Sequence, residues 1–421
     1  MTSFQKLYAE IDNIDTQGIG EVFGKGDEHS LKIPFSLPGE IIEYVNDDAG
    51  NATFLNFKVT SRHRTEAMCP QFKKCGGCSL QHASEEFVTD WKKSVVAKAL
   101  KQKELYPIFR NTFVTPERSR RRAVFSGRRT KKGTVVGFKS PKSDNIVPIF
   151  GCIIIDKKIL SFLPGMKKIT ALACTRSSTI KIHTSISENG LDIYVQSGRK
   201  LNEELRINLT LVAVEYNLAR LSWDGEQIFL AKPPVQRLGR IQIVPPEKFF
   251  MQATKEAEII MVRDVCESLS NTKNVVDLFS GFGTFTIPLA QKKKMLAFEQ
   301  SPEMLKALDL AWRRTSGLKV INTFIRNLYK NPVSAEELSN IDGAVVNPPR
   351  AGSSAQCKEL AKSSIATIVL VSCNPITFAR DAEILVKGSY VLDWVRVIDQ
   401  FRWSHHVEVI GKFSRHSEII T

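Results

Sequence analysis

The sequence predicts an α/β protein in which a small β-barrel and a β-rich central region precede a doubly wound, mostly parallel sheet. Beyond about residue 250, apolar strand-like runs alternate with helical segments, which is the pattern of a parallel sheet with crossover helices. Residues 1–60 contain short strand-like runs broken by glycines, and 120–245 is mostly strand-like. The 421 residues suffice for roughly two to four domains. We therefore divide the chain at 1–60, 61–245 and 246–421.

The composition is that of a globular protein with an excess of positive charge. Hydrophobic residues make up 43% and charged residues 24%, and we find no run of about 18 apolar residues that would span a membrane. The first residues lack the apolar segment of a signal peptide, so we expect a cytoplasmic protein and, with no protein partner indicated, a monomer. The net charge of +15 predicts a polyanionic partner, most often nucleic acid.

The N-terminal strand-like runs predict a small, OB-like barrel. They cover 19–24, 32–35, 39–45 and 52–57, and turn residues separate them. Such barrels often bind nucleic acid, although a fold alone does not establish a function. Apolar residues at helical spacing then predict a helix within 84–104.

A cysteine cluster precedes that helix. Cys69, Cys75 and Cys78 have the spacing C-x5-C-x2-C, and Cys152 is the best candidate for a fourth ligand. Four thiolates suit either an iron–sulfur cluster or zinc, and the spacing alone leaves both open, as well as a cluster of cysteines that binds no metal. Eight cysteines in a reducing compartment favour metal binding, catalysis or burial over disulfides. Cys174 has apolar neighbours typical of a helical core position.

Cationic residues crowd the start of the central region. They form two groups separated by a few residues and followed by an apolar strand: Arg118, Arg120, Arg121 and Arg122, then Arg128, Arg129, Lys131 and Lys132. This pattern predicts basic strands and a turn that contact RNA or DNA phosphates. The alternative is a hairpin whose charges only keep it soluble.

The C-terminal part begins after a Pro-Pro linker at 245–246 and predicts a ligand site at the strand ends. Candidate strands cover 275–278, 295–298, 341–346 and 365–371, and candidate helices include 255–268 and 303–314. A glycine-rich turn follows the first strand, and Glu299 follows the second, where an acid commonly binds ribose hydroxyls. Asp277 and Glu299 together suit a nucleoside cofactor without a diphosphate. The alternative is a purely structural βα turn.

Two further strand ends carry reactive or polar groups. Asn347 follows 341–346 and can donate to and accept from a base edge, although a rigid turn without a ligand explains it equally well. Cys373 follows the apolar run 365–371, and Pro375 stops the strand, so a thiol stands where open α/β sheets hold their ligands.

The last apolar strand begins at Glu408. Partial burial there would raise the pKa of the Glu408 carboxyl group into the range of a general base. His405 and His406 precede Glu408. Adjacent residues of a strand face opposite ways, which argues against a metal bound by this pair.

Taken together, the motifs resemble those of the RNA uracil-5-methyltransferase family, in its iron–sulfur 23S rRNA branch. The chain contains, in order, C-P-x4-C-G-G-C, D-L-F-x-G-x-G-T-F, N-P-P-R, S-C-N-P-x-T-x-A-R-D and H-H-V-E, which together span most of its length. The resemblance implies a Rossmann-like methyltransferase domain, an N-terminal TRAM barrel and the cofactor S-adenosylmethionine.

The resemblance also implies residue roles. Cys373 would be the nucleophile and Glu408 the proton acceptor. A 4Fe–4S cluster would be bound by Cys69, Cys75, Cys78 and Cys152. The S-adenosylmethionine contacts fall on Gln252, Phe279, Thr284, Glu299, Asn327 and Asn347. The chain departs from the family pattern at Asn347, where the family has Asp, and several relatives have Asn at the position of Thr284.

The implied reaction is methylation of C5 of a uridine in 23S rRNA. The thiolate would add to C6 of the base, and Arg350, Arg380 or Arg402 would favour the anion. The target base would have to be flipped out or presented from a loop. The sequence leaves two rivals open: the same reaction on tRNA, and a non-catalytic RNA-binding factor, which only Asn347 supports.

Overall fold

The computed structural model describes residues 6–23, 31–46 and 52–415. The N-terminal region forms two three-stranded antiparallel sheets, in the orders β1-β5-β6 and β2-β3-β4. Their strands are β1 Leu7–Glu10, β2 Asn13–Ile14, β3 Ile19–Val22, β4 Leu31–Pro34, β5 Ile41–Asn46 and β6 Ala52–Val59. The four predicted strands are confirmed, apart from Gly24, which lies outside the described residues.

The predicted helix is confirmed as α1, Glu85–Lys101, which begins at Ser84 because the Ser84 hydroxyl accepts from the Phe87 amide. One face of α1 buries Val88 and Trp91 against the N-terminal region, and another buries Val96 and Leu100 against the C-terminal region. Two short strands follow, β7 Ile108–Phe109 and β8 Phe113–Val114, and both pair with the C-terminal sheet. Strands β7 and β8, which fall within the predicted central domain, therefore extend the C-terminal sheet.

The central region contains a seven-stranded sheet in the order β11-β10-β9-β12-β13-β14-β15. Its elements are β9 Arg122–Thr130, β10 Gly133–Lys139, β11 Ile146–Pro148, α2 Lys157–Ser161, α3 Leu163–Ala173, β12 Thr179–Ser187, β13 Gly190–Gln196, α4 Glu203–Glu215, β14 Arg220–Trp223 and β15 Glu226–Leu230. The prediction of mostly strands missed three helices. Cys174, predicted at a helical core position, is buried as predicted, but it directly follows α3 in an extended conformation rather than lying within the helix.

A two-stranded sheet, β16 Gln236–Leu238 and β17 Ile241–Ile243, leads into the C-terminal region. There the elements are α5 Lys255–Ser268, β18 Asn274–Leu278, α6 Thr286–Leu289, β19 Lys294–Glu299, α7 Pro302–Arg313, β20 Ile321–Ile325, β21 Gly343–Val346, α8 Ser354–Lys362, β22 Thr367–Ser372, α9 Pro375–Lys387, β23 Val391–Asp399 and β24 Glu408–Ser414. The predicted strands and helices are all present, with ends that differ by at most a few residues.

The C-terminal sheet has nine strands in the order β20-β19-β18-β21-β22-β24-β23-β7, and β8 also pairs with β23. The pairs from β20 through β22 are parallel, whereas β24 is antiparallel to both β22 and β23. The prediction of a mostly parallel, doubly wound sheet is confirmed. The chain leaves β18 toward β19 on one side and later returns to β21 on the other, so a crevice opens between β18 and β21.

Helices cover both faces of this sheet. Ala344 and Val346 of β21 pack into the core beneath α1, α8 and α9, while Val345 between them packs into the core beneath α5 and α7. Because both faces are buried, the strands are continuous apolar runs. Within the described ranges, no helix is long and apolar enough to cross a membrane.

Candidate active site

The ends of five strands of the C-terminal sheet meet around one cavity of about 610 Å³. Parallel β18, β19, β21 and β22 end there, and β24, which runs the opposite way, begins there. The cavity is lined by seven of the predicted site residues: Gln252, Phe279, Thr284, Glu299, Asn347, Cys373 and Glu408. Asn327 lies between two lining residues, and its side chain donates to Gln300 of the wall at 3.3 Å.

The glycine-rich turn after β18 forms one wall of the cavity. Phe279 and Gly281 both have left-handed backbone conformations, with φ of 64° and 56°. The Glu299 carboxylate accepts from the Gly281 amide at 3.1 Å and from the Gln300 amide at 2.8 Å, which fixes the acid beside the turn. The hydroxyl of Ser280 is buried in this wall and has no hydrogen-bond partner among residues 6–23, 31–46 and 52–415, so the wall offers an unused polar group to a ligand.

Asp277 does not contact this cavity, so its predicted pairing with Glu299 as a ligand contact is wrong. Asp277 still belongs to β18 and is fully buried beneath the turn, where it accepts from the Thr286 hydroxyl at 2.5 Å. Burial raises the pKa of the Asp277 carboxyl to about 7. The residue is inside the sheet rather than beyond its edge, so it supports the turn.

Cys373 stands between the end of β22 and the start of α9. Pro375 ends the strand, as predicted, but it is also the first residue of α9, and the Asn374 side chain caps that helix by accepting from the Ile376 amide at 3.1 Å. Burial and the nearby Glu408 raise the pKa of the Cys373 thiol, and Arg350 opposes that rise. The thiol therefore faces both a carboxyl group and a guanidinium.

Glu408 is almost completely buried, at 4% exposure, and burial raises the pKa of its carboxyl to about 7. One side chain, Gln400, organises its surroundings. The Gln400 amide donates to Glu408 at 2.7 Å and to Gln252 at 2.9 Å, and its oxygen accepts from the Ala253 amide at 2.8 Å. Gln400 thus joins the predicted base to a predicted cofactor contact.

The sequence did not indicate Arg122 or Gln400 as part of the site. The Arg122 guanidinium lies 4.6 Å from the ring of Phe250, and its Nε is buried without a partner in the described part of the chain. Its charge interacts with those of Glu408 and Cys373. Burial lowers the pKa of Arg122 to about 10. Its position in a basic stretch suggested a phosphate contact. Its place in the wall of the cavity depends on how β9 packs there, which the sequence does not reveal.

Of the three arginines proposed to favour the thiolate, only Arg350 lines the cavity. Its guanidinium lies 2.7 Å from His406 Nδ1. Arg380 instead pairs with Asp381 at 2.7 Å. Arg402 pairs with Glu85 at 2.5 Å and donates to the Thr115 carbonyl at 3.0 Å.

A second cavity, of about 360 Å³, is lined by all four predicted ligand cysteines, Cys69, Cys75, Cys78 and Cys152. All eight cysteines of the chain are free thiols. Burial raises the pKa of Cys78 to about 12. Across 6–23, 31–46 and 52–415, no group of three or more His, Cys, Asp or Glu side chains is arranged to hold a metal ion. The structure therefore brings the thiols to one cavity without identifying a ligand.

The segment 400–407 separates the two cavities, and Phe401 and His406 line both. The Trp403 carbonyl accepts from the amides of Ser79 and Leu80 at 2.8 and 3.0 Å, which ties this segment to the cysteine loop. His405 and His406 precede β24 rather than lying within it, so the expectation that they face opposite ways is wrong. Their ring centroids are 4.1 Å apart.

Comparisons with known proteins agree with this geometry. Residues 239–415 match the model of the tRNA (uracil-5-)-methyltransferase family. An uncharacterised RNA methyltransferase of Brucella suis is 37% identical over 91% of this chain and 92% of its own length. The 23S rRNA (uracil(1939)-C(5))-methyltransferase RlmD of Alteromonas naphthalenivorans is 27% identical over 97% of this chain and 89% of its own length.

A solved structure shares the fold across the chain. The tRNA (uracil-54, C5)-methyltransferase of Pyrococcus abyssi, in complex with S-adenosyl-L-homocysteine, superposes with a TM-score of 0.73 and 21% identity over 96% of this chain and 99% of its own. The family model and the relatives, together with this fold, define an S-adenosylmethionine-dependent RNA methyltransferase. Within that class, the chain belongs to the RNA uracil-5-methyltransferase family.

Proposed function

We propose that the protein methylates C5 of a uridine in 23S rRNA through a covalent bond between Cys373 and C6 of the base. The observation that carries the proposal is that a thiol, Cys373, and a buried carboxyl group, Glu408, line the same cavity at the strand ends. Addition at C6 needs a thiol, and removal of the C5 proton needs a base with a pKa near neutrality. The raised pKa of Glu408 fits that second role.

S-adenosylmethionine would be held by Gln252, Phe279, Thr284, Glu299, Asn327 and Asn347. The cavity volume of about 610 Å³ lies within the usual range for a cofactor site. The Glu299 carboxylate is fixed beside the glycine turn, and the unpartnered Ser280 hydroxyl adds a polar group. When bound, the cofactor supplies an electrophilic methyl group on a sulfonium sulfur.

The residues of this chain perform the remaining steps. The Cys373 thiolate adds to C6 of the flipped uracil, which converts C5 into an enolate nucleophile. After methyl transfer to C5, the Glu408 carboxylate accepts the C5 proton, and the C6–sulfur bond breaks to release the thiolate and 5-methyluridine. Burial and Glu408 raise the pKa of Cys373, and the positive charge of Arg350 opposes that rise and so favours the thiolate.

The four cysteines are proposed to bind a 4Fe–4S cluster rather than zinc. The four thiols line one cavity, and the chain has a single C-x2-C pair there, whereas zinc sites usually have two such pairs. The six N-terminal strands are proposed to be a TRAM barrel that contacts RNA. An iron–sulfur protein is brown, with visible absorption that Cys152→Ser would diminish and that a zinc protein lacks.

The choice of 23S rRNA rests on the RlmD relative, whose similarity covers 97% of this chain, the cysteine loop included. The second candidate, tRNA, is favoured by the family model and by the fold of the Pyrococcus abyssi enzyme. A decayed, non-catalytic factor is disfavoured because Cys373, Glu408 and the cavity are all intact. We place the reaction in the cytoplasm, where rRNA is found and thiols stay reduced.

The proposal is tested by incubating the protein with methyl-labelled S-adenosylmethionine and either total rRNA or total tRNA, both lacking 5-methyluridine. We expect labelled 5-methyluridine in 23S rRNA only, and none with Cys373→Ser. A Cys266→Ser variant is the matched control, because Cys266 lies on α5 and does not line the cavity. Label in tRNA alone would show that the substrate is tRNA rather than 23S rRNA. The absence of labelled 5-methyluridine from both RNAs would refute the activity.

A further inference from the structure

A small groove of about 80 Å³ adjoins the catalytic cavity on the surface of the central sheet. Its floor is made by β9, β12 and β13, and the segment 248–251 forms its edge. Arg122 lines both the groove and the catalytic cavity. One side chain therefore separates the groove from the site at which the target base would be held.

The groove presents aromatic rings on adjacent strands. His183 of β12 and Tyr194 of β13 are cross-strand partners, with ring centroids 5.7 Å apart and ring planes at 79°. The His183 Nε2 lies 3.3 Å from the Gln196 side-chain oxygen, which holds the imidazole in place. Both rings are half-buried, so part of each ring remains accessible from the groove. Such faces suit stacking of a nucleobase.

The charges of the groove favour an anion. Lys248 is exposed and its Nζ lies 5.7 Å from the Tyr194 ring, and Arg120 and Arg122 also line the groove. The acid in the wall, Asp192, is already neutralised, because Arg220 binds both of its oxygens, at 2.9 and 2.7 Å. Within the residues that the structure describes, no group pairs with the buried Nε of Arg122. A ligand that carries both a planar ring and a negative charge suits these groups, and a nucleotide is such a ligand.

We propose that this groove binds a nucleotide that flanks the target uridine in the same RNA strand. The base stacks on the ring of Tyr194 with its edge toward His183, whose ring plane is at 79° to that of Tyr194, and its phosphate contacts Lys248 and Arg122. Because Arg122 is shared between the two sites, occupancy of the groove holds the strand in register while the target base enters the catalytic cavity. The inference rests on the proposed function, since it requires an RNA substrate.

The test measures steady-state methylation of an RNA fragment that contains the modified uridine, with and without an abasic nucleotide at each flanking position. For Tyr194→Ala we expect the KM for intact RNA to rise about ten-fold with kcat unchanged, as expected for one lost stacking contact. An abasic nucleotide at one flank should raise the KM of the unaltered enzyme similarly but have little further effect on Tyr194→Ala. Tyr194→Phe, which keeps the ring, should behave like the unaltered enzyme.

Tyr106→Ala is the matched control, because Tyr106 is 76% exposed and lies outside the groove. An unchanged KM for Tyr194→Ala would overturn the proposal. So would independent effects, in which the abasic nucleotide raises the KM of Tyr194→Ala by the same factor as it raises the KM of the unaltered enzyme. If Tyr194→Ala does not fold, Lys248→Ala decides. Loss of one phosphate contact should reduce the salt dependence of RNA binding, with a log–log slope smaller by about 0.7, and an unchanged slope overturns the proposal. Failure of the proposed function is distinct, because the unaltered enzyme would then form no 5-methyluridine.

Discussion

At the scale of single residues, Gln400 links the proposed base to the proposed cofactor site. Its amide donates to the Glu408 carboxylate, which favours the ionised form and limits the rise of the Glu408 pKa. In Gln400→Met this donor is lost, so the pKa of Glu408 should rise further above its ordinary value. Only the ionised carboxylate accepts the C5 proton, so the rising limb of the pH–rate profile should move up by about one unit.

Single-turnover methylation measured between pH 6 and pH 9 checks this shift. Gln242→Met is the control, because Gln242 is exposed and bonded only to Glu188. A Gln400→Met profile that matches that of the control would show that Gln400 does not tune the base.

Asn347 is, with Thr284, one of two positions at which the resemblance implies a departure from the family pattern. In Asn347→Asp a negative charge returns to the cavity, where it would attract the sulfonium of S-adenosylmethionine. We expect the cofactor Kd to fall about five-fold, the size of a modest ion pair. Calorimetry checks this, with Asn322→Asp on the exposed face of β20 as the control. An unchanged Kd together with an altered kcat would instead assign position 347 to the base.

At the scale of elements, the strongly apolar strands were the easiest to predict. The strands β18, β21 and β22 are buried on both faces, so their sequences are continuous apolar runs with sharp ends. The short strands β7 and β8 have two residues each and carry no such pattern, so their pairing with β23 was not predictable. The helices α3 and α4 were hidden because their mixed apolar faces lie within a strand-rich region.

Helix α1 is joined to the C-terminal sheet by a buried ion pair. Lys92 is fully buried, and its Nζ lies 2.6 Å from Asp399 Oδ1 at the end of β23. In Lys92→Met the aspartate stays buried without its partner, so the free energy of unfolding should fall by about 3–5 kcal/mol. Denaturant titration measures this change. Lys98→Met, on the exposed face of the same helix, should change stability by less than about 0.5 kcal/mol. Equal effects of the two substitutions would contradict a structural ion pair.

At the scale of the whole molecule, the cysteine cavity, the catalytic cavity and the groove share walls. Arg120 lines the cysteine cavity and the groove, Arg122 lines the groove and the catalytic cavity, and His406 lines the two larger cavities. The sequence predicted the individual strand ends because each motif is local. It did not predict these shared walls, since they depend on how the central sheet packs against the C-terminal one.

The β9–β10 turn extends the cationic surface of the central sheet. Arg129, Lys131 and Lys132 are exposed there. Changing all three to Ala should weaken RNA binding and reduce its log–log salt slope by about 2, because three phosphate contacts are lost. The control is the triple change of Lys358, Lys362 and Lys387 on α8 and α9, which removes the same charge from another surface. Equal loss of RNA affinity in both triple variants would mean that only the total positive charge matters, and would contradict a defined RNA-binding surface at this turn.

The central claim is that Cys373 forms a bond to C6 of the target uridine. The most direct measurement is mass spectrometry of the protein after incubation with S-adenosylmethionine and an rRNA fragment containing 5-fluorouridine, whose fluorine blocks removal of the C5 substituent. The account predicts a stable protein–RNA adduct on the peptide that contains Cys373, and none with Cys373→Ser. An adduct on another residue, or normal formation of 5-methyluridine by Cys373→Ser on unmodified RNA, would contradict it.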